Sequence, residues 1–175
     1  MTIVKSDLIK RLMDAKKFFV NGYVDEGVKI VQDVLKLSPQ KEEYNWFICN
    51  VIESVDCKYL FTILDKIGSS FDVSKCQNLK NVVMCGIMQN VYNAHVDLAL
   101  NSLVAQGKRD RLEDITKDIF KVNPDVNGEI LYKLAEALRR AGDERDAVLL
   151  LQEACKKGIK EACSNAVVPP PRSVM

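Results

Sequence analysis

One histidine and one tryptophan stand among 175 residues, and aromatic residues make up only 7%. With His95 alone, no two-histidine metal motif can form, and nucleophilic chemistry is left a single conventional base. The chain also lacks Cys-x-x-Cys, Gly-x-x-x-x-Gly-Lys, Gly-x-Gly-x-x-Gly, His-Glu-x-x-His and Gly-x-Ser-x-Gly. Zinc of the usual spacing, phosphate cradles, dinucleotide binding and nucleophile elbows are therefore disfavoured. A cysteine with His95 as its base is the one conceivable couple, and no local signature supports it. The expectation is a protein with no catalytic residue, no metal site and no cofactor.

Excess charge is missing too. Lysine plus arginine total 25 against 24 for aspartate plus glutamate, a net charge of +1. No overall field draws in nucleic acid or an anionic membrane, so either would have to bind locally. Nor is there an uncharged apolar run of about 18 residues. Lys5, Lys10, Arg11, Lys16 and Lys17 interrupt the start, which lacks the apolar core of a signal peptide. A cytoplasmic protein without a membrane partner is expected. Against these absences, 47% hydrophobic and 28% charged residues suit an ordinary core in one domain.

Six cysteines occur, at positions 49, 57, 76, 85, 155 and 163. Without a secretory signal, and in a chain long enough for a conventional core, reduced and mostly buried thiols are expected. Cys49 with Cys57, and Cys155 with Cys163, share a separation of eight, read here as coincidence.

Strand alternation is absent, and apolar residues recur at helical spacing throughout. Leu8, Leu12, Ala15, Phe18 and Phe19 form one stripe, followed by Gly22, Gly27, Val28, Val31, Val34 and Pro39. A second unit carries Val96, Leu100 and Leu103, then Gly107, Leu112, Ile115, Ile119 and Pro124. Gly22 to Pro39 and Gly107 to Pro124 are both 17 residues apart. A third has Leu131, Leu134, Ala135 and Leu138, then Gly142, Ala147, Leu151 and Ala154. This pattern resembles tetratricopeptide (TPR) repeats: a glycine ends the first helix, a small residue sits inside the second, and a proline closes the unit. The run Ala154 to Ala166 resembles the end of Sel1-like repeats.

The resemblance implies an all-α fold, a right-handed superhelical stack of antiparallel helix pairs with about 9–10 helices. One domain, 1–166, would hold repeat-like units at 6–39, 93–124 and 128–157, degenerate helices over 40–92 and a capping helix at 159–166. In the middle, Glu42 to Val55, Asp56 to Ile67 and Ser74 to Val91 read as helices. Asp56 and Ser74 are candidate N-caps and Gly68-Ser69-Ser70 a candidate stop. Consecutive prolines give 167–175 an extended tail.

The resemblance further implies a concave groove lined by the first helix of each pair, where a peptide or partner helix lies. Its register assigns to the groove Leu12, Lys16 and Phe19, then Trp46, Asn50 and Glu53, Asp97 and Asn101, and Tyr132, Glu136 and Arg139. A protein or peptide partner is expected, and chaperone-tail capture is disfavoured because Leu12, Trp46, Asp97 and Tyr132 occupy places that would want lysines. Phe19, Trp46 and Tyr132 would also suit a homodimer, and a larger assembly could fill the groove permanently. RNA or anionic-surface binding is the alternative, through Lys108, Arg109, Arg111, Arg139, Arg140, Arg145, Lys156, Lys157 and Lys160. Acidic neighbours interrupt each cluster, and Glu113, Asp114 and Asp118 read as an ordinary solvated face.

Overall fold

The computed structural model describes residues 5–68 and 73–165. Among them are ten α-helices, one 3-10 turn and no strand, so the all-α class holds. The described residues form two compact units that divide between Cys85 and Gly86.

In the first unit, α1 (Lys5–Val20) and α2 (Val24–Leu35) pack together, α1 also meets α3 (Lys41–Ser54), and α2 meets α4 (Cys57–Ile67). Leu12, Ala15, Val31, Val34, Phe47 and Ile48 are fully buried. Gly27 is buried because the Phe19 ring lies over it; a Cβ there would stand 2.6 Å from Cδ1. Phe18, expected in the core stripe, is 39% exposed instead. Asp56 caps α4 as expected, accepting from Lys58 N at 3.0 Å, and α4 stops at Gly68. Ser69 and Ser70 of the expected stop lie outside the described residues.

Ser74 does not begin a helix. It sits in the 3-10 turn Val73–Lys75, and α5 (Leu79–Gln89) starts four residues after that turn. The reason is Cys76, buried and bonded to Cys49 of α3, which pulls the chain back onto α3 before α5 can begin.

The second unit holds α6 (Ala94–Ala105), α7 (Arg109–Val122), α8 (Gly128–Arg140), α9 (Glu144–Lys156) and α10 (Lys160–Asn165). Helix α8 packs on α6, α7 and α9, and α10 closes on α9. The predicted apolar positions of these helices, Ala135 and Ala147 included, are buried. Ala162 of α10 is buried and Cys163 exposed, whereas Ala166 and the proline tail lie outside the described residues.

One turn recurs. After α1, α6, α8 and α9, glycines 22, 107, 142 and 158 take φ values of +87°, +68°, +94° and +95°. In each, the next amide reaches back five residues, as Tyr23 N does to Phe18 O and Asp143 N to Leu138 O, at 2.9 and 2.8 Å. The left-handed residue lets the chain satisfy the last carbonyls and reverse. Asn90, at φ +58°, makes the same turn after α5 without glycine.

All six cysteines are paired, as Cys49–Cys76, Cys57–Cys85 and Cys155–Cys163, overturning the expectation of reduced thiols. Their Cα atoms lie 5.2, 5.1 and 4.7 Å apart, inside the range a disulfide spans. Packing of α3 with the 3-10 turn joins partners 27 residues apart. The separation of eight at Cys155 and Cys163 is a real pairing, made across the break at Gly158 rather than along one helix.

Candidate binding clefts

In the second unit, α6 and α8 lie side by side with the α5–α6 linker, leaving a cleft of about 330 Å³. Asp97, Asn101, Tyr132, Glu136 and Arg139, all predicted groove residues, line it together with Tyr92, Lys133 and Arg140. Helical spacing explains the grouping. Asp97 and Asn101 share one face of α6 at i, i+4, and Tyr132, Glu136 and Arg139 share one face of α8.

The floor of this cleft is a chain of polar contacts. The Tyr92 hydroxyl donates to Asp97 Oδ1, Asn101 Nδ2 donates to Asp97 Oδ2 at 3.3 Å, and Arg140 Nη2 donates to Asn101 Oδ1 at 2.9 Å. The last of these ties α8 to α6. Burial, reinforced by the Asp97 carboxylate and by Glu129 and Glu136, pushes the Tyr92 phenol far above its usual range, so it stays a donor. Tyr132 is raised too, by burial and then by Glu136. Lys133 Nζ lies 6.0 Å from the Tyr92 ring centre and 3.7 Å from Glu136 Oε1. Arg139 turns its guanidinium to Glu144 through two bonds of 2.9 and 2.7 Å, bordering the cleft with a held charge pair. Both signs of charge flank two phenol rings, a lining suited to a mixed polar and aromatic ligand. Sequence reasoning missed Tyr92, which lies in a linker outside the repeat register.

The first unit has its own cleft of about 390 Å³, lined by Trp46, Asn50 and Glu53 along α3, by Lys75 at the end of the 3-10 turn and by Gln77 and Asn78 beyond it. Trp46 is 48% exposed, and Asn50 Nδ2 donates to its carbonyl at 2.9 Å. The Cys49–Cys76 bridge holds the two walls together.

Two groove assignments are corrected and one stands apart. Phe19 and Leu12 are fully buried in the core, Phe19 over Gly27, because a residue that seals a close helix crossing cannot also face a ligand. Lys16 is half-buried on α1 and lines none of the clefts described here. Phe18 and Tyr23 instead form an exposed edge-to-face pair at 6.3 Å, beside Ile30. With every cysteine in a disulfide, the conceivable Cys–His95 couple has no thiol. In the basic clusters, Arg109 pairs with Glu113, Arg139 with Glu144 and Lys156 with Glu153, while Lys157 Nζ donates to Val126 O. No described helix is long and apolar enough to cross a membrane.

Residues 7–168 match the family model described as Domain of unknown function (DUF1955). A crystal structure of a hypothetical protein from the hyperthermophilic archaeon Sulfolobus tokodaii is similar: 60% identity, 91% of this chain and 98% of that chain covered, TM-score 0.84. No curated protein matches. The chain belongs to the DUF1955 family.

Proposed function

We propose that this member of the DUF1955 family is a non-catalytic interaction module, a TPR-like scaffold that binds a peptide or partner helix along the first helices of its pairs. The observation that carries this reading is the second-unit cleft, where five predicted groove residues from two helices meet around the bonded floor of Tyr92, Asp97, Asn101 and Arg140. Packing of helices two apart, α1 with α3 and α2 with α4 in the first unit and α6 with α8 in the second, supports stacking of helix pairs within each unit. The recurrent left-handed turns at Gly22, Gly107, Gly142 and Gly158 support it as well. Disulfides ordinarily mark oxidising compartments, but intracellular proteins of hyperthermophiles carry them too. The similar structure comes from such an organism, which supports a cytoplasmic place for this chain.

The test is a tagged pull-down at moderate and high salt, with and without nuclease, comparing wild type with the Trp46→Ala, Tyr132→Ala double variant. A protein held at high salt by wild type and lost from the variant is the expected result. Material that is nuclease-sensitive and salt-labile would instead sink the reading in favour of the basic second half, since phosphate contacts weaken steeply with salt.

A further inference from the structure

Asp143 is the one described side chain with a buried oxygen that meets no hydrogen-bond donor. It follows Gly142 and caps α9, with Oδ1 accepting from Asp146 N at 3.0 Å. Oδ2 is left over, in a residue only 4% exposed. A buried carboxylate oxygen without a partner costs free energy, so its retention needs a reason. One carboxylate oxygen each from Glu113 of α7, Asp143 and Asp146 lie within 4.8 Å of one another. Arg109, its Nε 3.4 Å from Glu113 Oε1, and Arg145 beside Asp146 are the cations acting on the cluster, so three carboxylates face two positive charges.

We propose that Glu113 of α7, with Asp143 and Asp146 at the start of α9, forms a site for a hard divalent cation of calcium size, apart from the linings of both clefts. Hard cations take oxygen ligands, and calcium binds them at about 2.3–2.6 Å, so ligands on opposite sides stand roughly 4.6–5.2 Å apart. A trio whose ligand oxygens all lie within 4.8 Å of one another can share that sphere. Magnesium demands near-ideal octahedral geometry at about 2.0–2.1 Å and gives up its waters reluctantly, which favours calcium at a site with three side-chain oxygens. Glu113 and Asp146 are half-exposed, which leaves room for water to complete the coordination. Three carboxylates this close repel one another. A bound cation removes that repulsion and satisfies Oδ2 at once.

The experiment is calorimetric titration of the chelator-treated full chain with calcium, with thermal unfolding in parallel and magnesium as comparison. The expected result is binding at about 10⁻⁴–10⁻³ M, the range of weak calcium modules. Calcium should raise Tm more than magnesium does, with affinity falling roughly 10-fold or more in Glu113→Gln and in Asp146→Asn. Asp143→Asn keeps the cap while losing the anionic oxygen, and should bind equally poorly. No heat and no Tm change in wild type would overturn the proposal, as would an equal response in all the variants. A calcium-indifferent protein stabilised by Asp146→Asn would also overturn it, because the trio would then be sharing a proton. The wild-type titration decides even where a variant does not fold.

Discussion

The Phe19 ring seats directly on Gly27, and that contact sets how closely α1 and α2 approach. Gly27→Ala pushes a methyl into the ring, and overpacking of this kind costs about 1–3 kcal/mol. Phe19→Ala leaves a cavity and costs about 3–5 kcal/mol. Urea midpoints at unchanged m-value measure both. A neutral Gly27→Ala would mean that the helices can part freely.

Gly107 isolates the backbone contribution of the recurring turn, since an added Cβ there meets nothing within 4 Å while φ stays at +68°. Gly107→Ala should therefore lose about 1–2 kcal/mol from conformation alone. Asn90 occupies the same turn for another reason. Its Oδ1 accepts from Asn127 N at 2.8 Å, and its carbonyl accepts from Asn127 Nδ2 at 3.1 Å. Asn90→Gly relieves φ but deletes the side-chain bond, so a net loss of about 0.5–1.5 kcal/mol is expected. Stabilisation by Asn90→Gly would refute the role given to the side chain.

Tyr44 is buried in α3, and its hydroxyl donates to the carbonyl of Ile67 at the end of α4. Burial pushes this phenol from 10.0 up to about 12. The unfolded chain thus releases the proton before the folded one does. The tyrosine's contribution is complete below pH 10 and is lost as pH rises through about 12. Tyr44→Phe should be less stable than wild type near neutrality by about 1 kcal/mol. It should also lose less on going to alkaline pH, so denaturation midpoints of the two proteins converge there. Parallel curves would show that the phenol is not the titrating group.

Denatured in the absence of reductant, the chain should show no titratable thiol. Loops of 27 and 28 residues are worth roughly 3–4 kcal/mol each by chain entropy, and the loop of 8 roughly 2–3. Replacing Cys49 and Cys76 together with alanine should therefore destabilise more than replacing Cys155 and Cys163. The same pair should loosen the Trp46 cleft, read as faster amide exchange over Lys75 to Asn78. Equal exchange in the two variants would separate the bridge from the cleft.

Much of the fold could be read from residue order because helices are local: their periodic stripes, the Asp56 cap and the turn glycines act within a few residues of themselves. Gly22, Gly107, Gly142 and Gly158 announce the turns because only a residue without Cβ reaches their φ cheaply. Asn90 makes that turn without announcing it, since asparagine is common on helix surfaces too. Five groove residues meet in one cleft because i, i+3 and i+4 spacing decides which side chains share a helix face. Phe18 and Phe19, adjacent in an apolar stripe, could not be told apart by spacing. Only the position of Gly27 on the neighbouring helix makes one core and the other surface.

By itself the sequence determined the all-α class, most helix positions and their buried faces, all consequences of short-range periodicity and capping. Tertiary structure alone decided the disulfide partners, the break at Cys76, the entry of Tyr92 into the cleft, and the meeting of Glu113 with Asp143 and Asp146. Each of these joins side chains from different elements, and their distance is set by how whole helices pack, which no local spacing encodes.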